Sequence, residues 1–169
     1  VLLLMGFKKL LNKCKKEQID KNIKLYLLGD GPTLNQCKEY AKENGLDNNV
    51  IFTGHVENVS AYYGISDLVT LITNYDAIAI SLIEALSMAK PLVASNVTGV
   101  PENFSENING YLVSNDDSQI ADALYKILIN DDLRQKMCIN SRKLYLDEFT
   151  EKKNSHMHNE CYNDLINKI

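Results

Sequence analysis

Residues 76–102 read DAIAISLIEALSMAKPLVASNVTGVPE and combine two acidic side chains, Asp76 and Glu84, with a predicted helix and a predicted strand. The helix covers Ile78–Met88, and the apolar strand Pro91–Ser95 follows it directly. The first turn of a helix has backbone N–H groups without acceptors at its positive end, so it favours anions. The segment therefore predicts a strand–helix–strand unit with an anion site between two carboxylates. A ligand that carries both phosphate and hydroxyl groups would suit that site.

The same alternation of strands and helices extends over the rest of the chain. Further strands are predicted at Ile23–Leu28, Val50–Thr53, Asp67–Thr73 and Gly110–Val113. Further helices are predicted at 1–17, Thr33–Asn44, Asn58–Tyr63, Asp116–Asn130, Asp131–Glu148 and Thr150–Ile169, with a single turn at Glu102–Phe104. The strands are apolar throughout, as in parallel sheets whose two faces are both covered by helices. The pattern predicts an α/β fold with one doubly wound parallel sheet and C-terminal helices.

Length and composition predict one globular domain over residues 1–169, with 150–169 as a terminal helix. The chain is 45% hydrophobic and 24% charged, and it has no apolar run of the roughly 18 residues that a membrane span needs. It starts at Val1 within a predicted helix and without an initiator Met, so we expect a piece of a longer protein. Its net charge of −4 argues against a nucleic-acid partner.

The first 24 residues are basic although the whole chain is acidic. They contain seven lysines against Glu17 and Asp20, which leaves a local net charge of 7 − 2 = +5. A solvated helix face accounts for this cluster. The alternative is a surface that contacts anionic lipid or a phosphate-bearing ligand. Contact with lipid would place the full-length protein at the inner face of a membrane.

Cysteine and histidine positions predict no metal site and no disulfide. The four cysteines are scattered without a CxxC pair, and the three histidines do not stand at ligand spacing from cysteines or carboxylates. We therefore expect buried free thiols in a reducing cytoplasm. These residues are Cys14, Cys37, Cys138, Cys161, His55, His156 and His158.

The loops after the predicted strands are where a doubly wound sheet binds its ligands. The first of them is Gly29-Asp30-Gly31-Pro32, whose glycines permit positive φ and a close approach of the backbone to a ligand. A dinucleotide fingerprint would need a third glycine where Leu34 stands, so that class of site is excluded. A tight turn and a turn that borders a ligand cleft both remain open for Gly29 and Gly31.

The loop Asn74–Ala79 and the helix after it carry the strongest candidates. We expect the backbone N–H groups of Ala77 to Ile80 to be free to bind phosphate. Glu84 lies inside the predicted helix among apolar neighbours, and a half-buried carboxylate there could accept hydrogen bonds from ribose hydroxyls. A surface or ion-paired Glu84 is the alternative. For Asp76, the alternative is an acidic residue that the helix dipole favours.

Four segments in order resemble the motifs of the retaining glycosyltransferases of family 4 (group 1), which have the GT-B fold. They are LYLLGDGP, VIFTGHVENVSAYYGISDLVTLIT, DAIAISLIEALSMAKPLVASNVTGVPE and ENINGYLV, and the resemblance covers about residues 1–150. It implies that the chain is the C-terminal, Rossmann-like half of a GT-B enzyme. This half binds the nucleotide-sugar donor, and the N-terminal acceptor domain is absent from the sequence.

The resemblance also implies roles for individual residues. Glu84 falls on the glutamate that holds the ribose hydroxyls, and Asp76 falls on the catalytic acid beside the donor sugar. Val56 falls in the region that lines the nucleobase, and Gly29 and Gly31 fall on the family's Gly-Asp-Gly-Pro turn, which would also contact the nucleotide. The positions that meet the diphosphate and the sugar are Ala77, Ile78, Ala79 and Ile80.

As the resemblance implies, the full-length protein transfers a sugar from a UDP- or GDP-linked donor to an acceptor hydroxyl with retention of configuration. The expected acceptor is a saccharide or a lipid-linked saccharide in bacterial surface polysaccharide synthesis, with no metal or other cofactor. The isolated domain would be inactive, because half of the cleft is missing. Two alternatives remain open, a non-catalytic nucleotide-sugar-binding partner and a sugar-nucleotide epimerase of the same fold.

The sequence departs from the family pattern at the sugar end of the site. Asp76 replaces a glutamate, and Ala77-Ile78-Ala79 replaces Gly-Phe-Gly, where alanine keeps the N–H donors but resists positive φ. Ala89 and Thr98 also stand where the family has glycine. In the family, an Arg and a Lys that neutralise the diphosphate lie just upstream of the helix that corresponds to residues 1–17. These two residues are missing from this sequence.

Overall fold

The computed structural model describes residues 1–105 and 107–166 and confirms an α/β fold with parallel strands. The strands are β1 (Leu25–Leu28), β2 (Val50–Gly54), β3 (Val69–Leu71), β4 (Leu92–Ser95) and β5 (Gly110–Val113). The helices are α1 (Leu2–Lys16), α2 (Leu34–Glu43), α3 (Val59–Ile65), α4 (Ile80–Ser87), α5 (Asp117–Ile129), α6 (Asp131–Glu148) and α7 (Glu151–Ile166). A 3₁₀ turn covers Val100–Asn103. The last three residues of the predicted terminal helix, 167–169, lie outside the described residues.

The strands form two hydrogen-bonded groups. One group is β1 paired with β2, and the other has the order β3-β4-β5. Within the described residues, β1 and β3 are not hydrogen-bonded neighbours, so the sheet is interrupted between them. The sequence pattern predicts parallel strands correctly but does not show this interruption.

Helices cover both faces of β4, as its apolar sequence predicts. The prediction is wrong for β1, where Tyr26 and Leu28 are exposed. All four residues of β4 are buried, and their side chains alternate between two cores. Val93 packs in the core built by α1 and α5, whereas Leu92 and Ala94 pack in the core built by α3 and α4. This two-sided burial positions the loops at the carboxyl ends of the strands.

The helices α1 and α5 lie side by side and run in the same direction. Lys9 pairs with Asp117 and Lys13 pairs with Asp122, each at 2.7 Å between Nζ and Oδ1. The later residue of α1 thus contacts the later residue of α5, which shows that the two helices are parallel. Because α5 follows β5 directly, it starts at the carboxyl edge of the strands and runs back over them. It follows that α1 also starts at that carboxyl edge.

The basic cluster at the start of the chain is largely engaged within the molecule. In addition to the pairs with α5, Lys21 lies 3.2 Å from Asp131, and Lys24 donates to the backbone oxygen of Asn48. These contacts fit the interpretation of the cluster as a helix face whose charges are matched locally. In the described part of the chain, no helix combines the length and the hydrophobicity that crossing a membrane requires.

The predicted burial of the cysteines is only partly correct. All four are free thiols, and Cys14 is buried, while Cys37 and Cys138 are half-buried. Cys161 is exposed on α7, where the prediction of a buried thiol is wrong. The reason is that none of the described residues of α7 is buried, so its apolar residues face solvent.

Candidate functional site

The connection between β3 and α4 is shaped by Asp76. Its Oδ1 accepts a hydrogen bond from the backbone N–H of Ile78 at 3.1 Å, and the N–H of Ile80 donates to the carbonyl oxygen of Ile78 at 2.8 Å. The prediction that the N–H groups of Ile78 and Ile80 are free is therefore wrong. The short aspartate side chain closes a local turn, which delays the helix start from Ile78 to Ile80. Within the described residues, the N–H groups of Ala77 and Ala79 have no acceptor.

A second loop packs directly on this connection. The N–H of Gly99 donates to the carbonyl oxygen of Asp76 at 3.1 Å. A Cβ atom at Gly99 would lie 2.0 Å from the carbonyl oxygen of Ala77, so only glycine permits this approach. Glycine at position 99 thus fixes the loop after β4 against the loop that carries Asp76.

A polar network joins the carboxyl ends of β3 and β4. The buried hydroxyl of Ser95 accepts from the N–H of Thr73 at 3.0 Å and donates to Asn115 Oδ1 at 2.6 Å. The amide of Asn115 in turn donates to Thr73 O at 3.1 Å and to Asn74 Oδ1 at 2.8 Å. These residues are not among those that the sequence predicts for the site, although a serine at the end of an otherwise apolar buried strand is a usable signal.

Glu84 projects from the second turn of α4 and is held by a tyrosine. The hydroxyl of Tyr63 lies 3.0 Å from Glu84 Oε2 and 3.1 Å from the carbonyl oxygen of Ser81. Burial of the Tyr63 ring, together with the neighbouring carboxylate, raises the pKa of Tyr63 well above its ordinary value. The phenol therefore stays neutral and remains a donor. Tyr63 is not among the residues that the sequence predicts for the site.

The carboxylate of Glu84 is exposed, whereas the sequence predicts a half-buried group. Its one hydrogen-bond donor in the described structure is the Tyr63 hydroxyl on Oε2, and Oε1 accepts no hydrogen bond from any described residue. The exposure arises because the apolar residues Leu82, Ala85 and Leu86 supply the buried face of α4, while Glu84 points away from it. One carboxylate oxygen is thus available to donors outside the described residues.

The turn after β1 lies next to the loop after β2. Gly29 has φ +105°, a backbone conformation that favours glycine, and its N–H donates to Gly54 O at 2.7 Å. Gly31 is exposed, and Val56 is half-buried in the loop after β2. No hydrogen bond in the described part of the chain connects this group to Asp76 or Glu84.

The carboxyl ends of the strands therefore offer the carboxylate of Glu84 as a hydrogen-bond acceptor and the backbone N–H groups before α4 as donors. Glu84 can accept from two neighbouring hydroxyl groups, and the start of α4 attracts negative charge. Among the described residues, no group of three or more His, Cys, Asp or Glu side chains is placed to hold a metal ion.

The chain belongs to the family of glycosyl transferases, group 1, whose model matches residues 3–144. This match covers the whole α/β unit from α1 into α6 and includes both Asp76 and Glu84. The membership agrees with the resemblance that the four ordered motifs carry.

Three curated relatives share between 25% and 31% of their residues with the chain. The N-acetyl-α-D-glucosaminyl L-malate synthase of Bacillus anthracis is 27% identical over 144 residues, which is 85% of this chain and 38% of the relative. The 2-deoxystreptamine N-acetyl-D-glucosaminyltransferase of Niallia circulans is 31% identical over 139 residues, with coverage of 79% and 36%. The poly(ribitol-phosphate) α-N-acetylglucosaminyltransferase of Staphylococcus aureus is 25% identical over 133 residues, with coverage of 78% and 27%. The chain thus spans about a third of the length of these relatives.

Solved structures confirm the fold. Anabaena HepE in complex with UDP and glucose superposes with a TM-score of 0.82 at 17% identity, over 96% of this chain and 44% of HepE. A variant of S. aureus TarM, solved with fondaparinux, α-GlcNAc-glycerol and UDP, gives a TM-score of 0.80 at 24% identity, over 93% of this chain and 31% of TarM. Both are GT-B glycosyltransferases, so the fold is that of one part of a GT-B enzyme.

Proposed function

We propose that the full-length protein transfers a sugar from a nucleotide-diphosphate sugar to an acceptor hydroxyl, and that this chain is its donor-binding domain. The observation that carries the proposal is the carboxylate of Glu84. One of its oxygens is fixed by Tyr63 and the other is free. Glu84 follows the first residue of α4 by four positions, so it lies about 6 Å along the helix axis from the helix start. A ribose diol at Glu84 would thus place the attached phosphates near the positive end of α4.

The remaining site residues follow from that placement. The free N–H groups of Ala77 and Ala79 would face the diphosphate, with Ile78 and Ile80 as flanking side chains. Asp76 would lie beside the donor sugar. Gly29, Gly31 and Val56 would border the nucleobase across the carboxyl edge of the strands. No metal is required in this scheme, because the helix start and basic side chains outside the described residues would meet the leaving-group charge.

The names of the relatives support sugar transfer as the reaction class. They place N-acetylglucosaminyl transfer on L-malate, on 2-deoxystreptamine and on poly(ribitol-phosphate), which are three different acceptors. We therefore propose a saccharide or lipid-linked acceptor of a bacterial surface polymer, bound through a domain outside this chain. The donor is proposed to be linked to UDP or GDP.

Calorimetric titration of UDP and GDP into the full-length protein tests the donor site. Glu84→Gln should raise the dissociation constant of the better nucleotide about 10-fold or more, because hydrogen bonds to a charged acceptor contribute about 1.5–3 kcal/mol. Glu39→Gln on α2, an exposed glutamate, is the matched control and should bind as the unsubstituted protein does. Equal affinity of the Glu84→Gln variant and the control would contradict the proposed role of Glu84.

Transfer assays with the same protein separate sugar transfer from the two alternatives. Retention predicts that the anomeric configuration of the product, read by NMR, equals that of the donor. Turnover of the nucleotide sugar without any acceptor would indicate an epimerase instead. An unchanged transfer rate after Asp76→Asn and Glu84→Gln would indicate that this domain binds a nucleotide sugar without taking part in catalysis.

A further inference from the structure

Three large apolar side chains are exposed around Asp76. Tyr75, Ile78 and Ile80 are 69%, 67% and 63% exposed, and we call these three residues the apolar rim. Only four other large apolar side chains of the described residues exceed 60% exposure, and they are spread over three helices: Ile65, Ile139, Tyr162 and Ile166. Single exposed apolar side chains are normal on a protein surface, whereas a cluster of them indicates a binding site.

A tight turn sets Ile78 and Ile80 beside each other. The N–H of Ile80 donates to Ile78 O at 2.8 Å, and Ala79 between them has φ −73° and ψ 71°, which are the angles of an inverse γ-turn. Ala79 is buried and packs in the core with Leu82 of α4. The turn thus directs its central side chain into the protein and leaves the two isoleucines on either side of it at the surface.

The backbone that carries Tyr75 is fixed from two sides. The hydroxyl of Thr73 donates to Tyr75 O at 2.9 Å and accepts from the N–H of Tyr75 at 3.3 Å. The side chain of Asn74, the residue before Tyr75, accepts from Asn115 at 2.8 Å. A contact with the ring of Tyr75 would therefore order little additional backbone, which keeps the entropic cost of binding low.

The apolar rim lies where the donor would place its sugar. With the ribose at Glu84 and the diphosphate near the start of α4, the sugar comes next, at the loop that precedes the helix. Ile80 is the first residue of α4, and Tyr75 and Ile78 stand on either side of Asp76. A sugar hydroxyl against this surface would lose its water without gaining a partner, whereas a methyl group would bury apolar area.

We propose that the apolar rim selects a donor sugar that carries a methyl group, in an acetamido or a 6-deoxy substituent, over the corresponding fully hydroxylated hexose. This inference rests on the proposed function, because it takes Glu84 and the start of α4 as the donor site. Burial of one methyl group raises an affinity about 4-fold. The competing hydroxyl group loses a hydrogen bond to water, so the preference should be about 4-fold or more.

Calorimetric titration of two matched donor pairs into the full-length protein measures the preference. UDP-N-acetylglucosamine and UDP-glucose differ only at C2, and GDP-6-deoxymannose and GDP-mannose differ only at C6. The methyl-bearing donor should bind about 4-fold or more tightly in one pair, and that pair identifies the substituent. Equal affinities within both pairs, although UDP or GDP binds, would overturn the inference alone. Absence of binding by every nucleotide would overturn the proposed function as well.

Substitutions in the apolar rim test whether these side chains make the selection. Ile78→Ser and Ile80→Ser should each reduce the preference to within about 2-fold, while the dissociation constant of UDP or GDP alone stays unchanged. Ile139→Ser on α6 replaces an equally exposed isoleucine and is the matched control, which should keep the full preference. Tyr75→Ala should act as the rim variants do, with Tyr162→Ala on α7 as its control. A preference that survives all three rim substitutions would overturn the inference.

A lipid surface is the other partner that such a cluster could contact. Co-sedimentation of the same variants with vesicles of phosphatidylethanolamine and phosphatidylglycerol tests this partner. Vesicle binding should be equal in the rim variants and in their controls. Weaker vesicle binding in the rim variants, together with an unchanged sugar preference, would assign the apolar rim to a membrane and overturn the inference.

Discussion

Tyr63 is the residue that connects α3 to the free carboxylate on α4. Tyr63→Phe keeps the buried ring but removes the hydroxyl that lies 3.0 Å from Glu84 Oε2. Without this donor the exposed carboxylate is free to rotate, so we expect the dissociation constant for UDP or GDP to rise about 3- to 10-fold. Calorimetry on the full-length protein measures the change. Tyr62→Phe is the control, since Tyr62 packs edge-on against Tyr26 and makes no hydrogen bond to Glu84 among the described residues. Equal affinities of the two variants would contradict the positioning role.

Two tyrosines predict how stability depends on alkaline pH. Burial and Glu84 raise the pKa of Tyr63, and a hydrogen bond to Glu17 with partial burial raises the pKa of Tyr125 to about 12. An unfolded tyrosine loses its proton near pH 10, so above about pH 10 the unfolded state binds fewer protons than the folded state. The free energy of unfolding must therefore fall as the pH rises from about 10 toward 12.

Urea unfolding at pH 9 and pH 11 checks this pH dependence. The double variant Tyr63→Phe/Tyr125→Phe should lose less stability between the two pH values than the unsubstituted protein, because it lacks both groups. Tyr162→Phe on the exposed α7 is the control and should follow the unsubstituted protein. Parallel pH profiles for the double variant and the control would show that neither tyrosine contributes.

At the site, the sequence marks the local features and misses the long-range ones. Asp76 and Glu84 stand out because their spacing around a helix start is visible within one segment. Tyr63 lies 21 residues before Glu84 on another helix, and nothing in the local pattern tells which side chains of α3 face α4. Ser95 and Asn115 meet for the same reason, through the packing of β4 beside β5.

At the scale of elements, three helices end in the same way. The residues just after α1, α2 and α4 are Gln18, Gly45 and Ala89, with φ of +56°, +67° and +57°. In each case this residue donates to the carbonyl three positions earlier, and the next residue donates to the carbonyl five positions earlier. These are Schellman motifs, whose left-handed residue is usually glycine. Only Gly45 could be predicted from the sequence, because glutamine and alanine give no sign of a left-handed conformation.

The shared motif predicts opposite effects of two substitutions. Ala89→Gly should raise the free energy of unfolding by about 1 kcal/mol, because it relieves the left-handed strain of an L-residue. Gly45→Ala should lower it by about 1 kcal/mol for the converse reason. Urea unfolding of both variants measures the effects. Changes of the same sign in the two variants would contradict a common cap geometry.

The apolar runs predict where the helices and strands begin and end to within a few residues. They do not predict which strands pair with each other. The runs LYLL and VTL predict β1 and β3 correctly as strands, but the predicted burial is wrong: β3 is half-buried, and β1 alternates between half-buried and exposed residues. Neither run contains information about its neighbour, so the interruption between the two strands is visible only in three dimensions. The start of α4 differs from the prediction because Asp76 Oδ1 accepts from Ile78 N and closes a local turn before the helix, on a loop that Gly99 also contacts.

For the molecule as a whole, the contact between α1 and α5 ties the first residues to the second half of the chain. Gly6 of α1 faces Ile120 of α5. On the same helix as Gly6, Lys9 and Lys13 pair with aspartates of α5. The ion pairs are at the surface, where solvent screens them, whereas the Gly6–Ile120 contact lies in the core. Close packing at Gly6 is therefore what holds α1 over the strands, and with it the edge at which we propose the donor site.

Gly6→Ala and Lys9→Ala separate packing from charge in this contact. A Cβ atom at Gly6 would lie 2.6 Å from Ile120 Cγ2 and 3.1 Å from the carbonyl oxygen of Asp117, so the helices must move apart. We expect Gly6→Ala to lower the free energy of unfolding by about 1–3 kcal/mol, as overpacked cores do. Lys9→Ala should shift the urea midpoint much less, and the small difference should vanish in high salt. A larger loss in Lys9→Ala than in Gly6→Ala would show that charge rather than close packing orients α1.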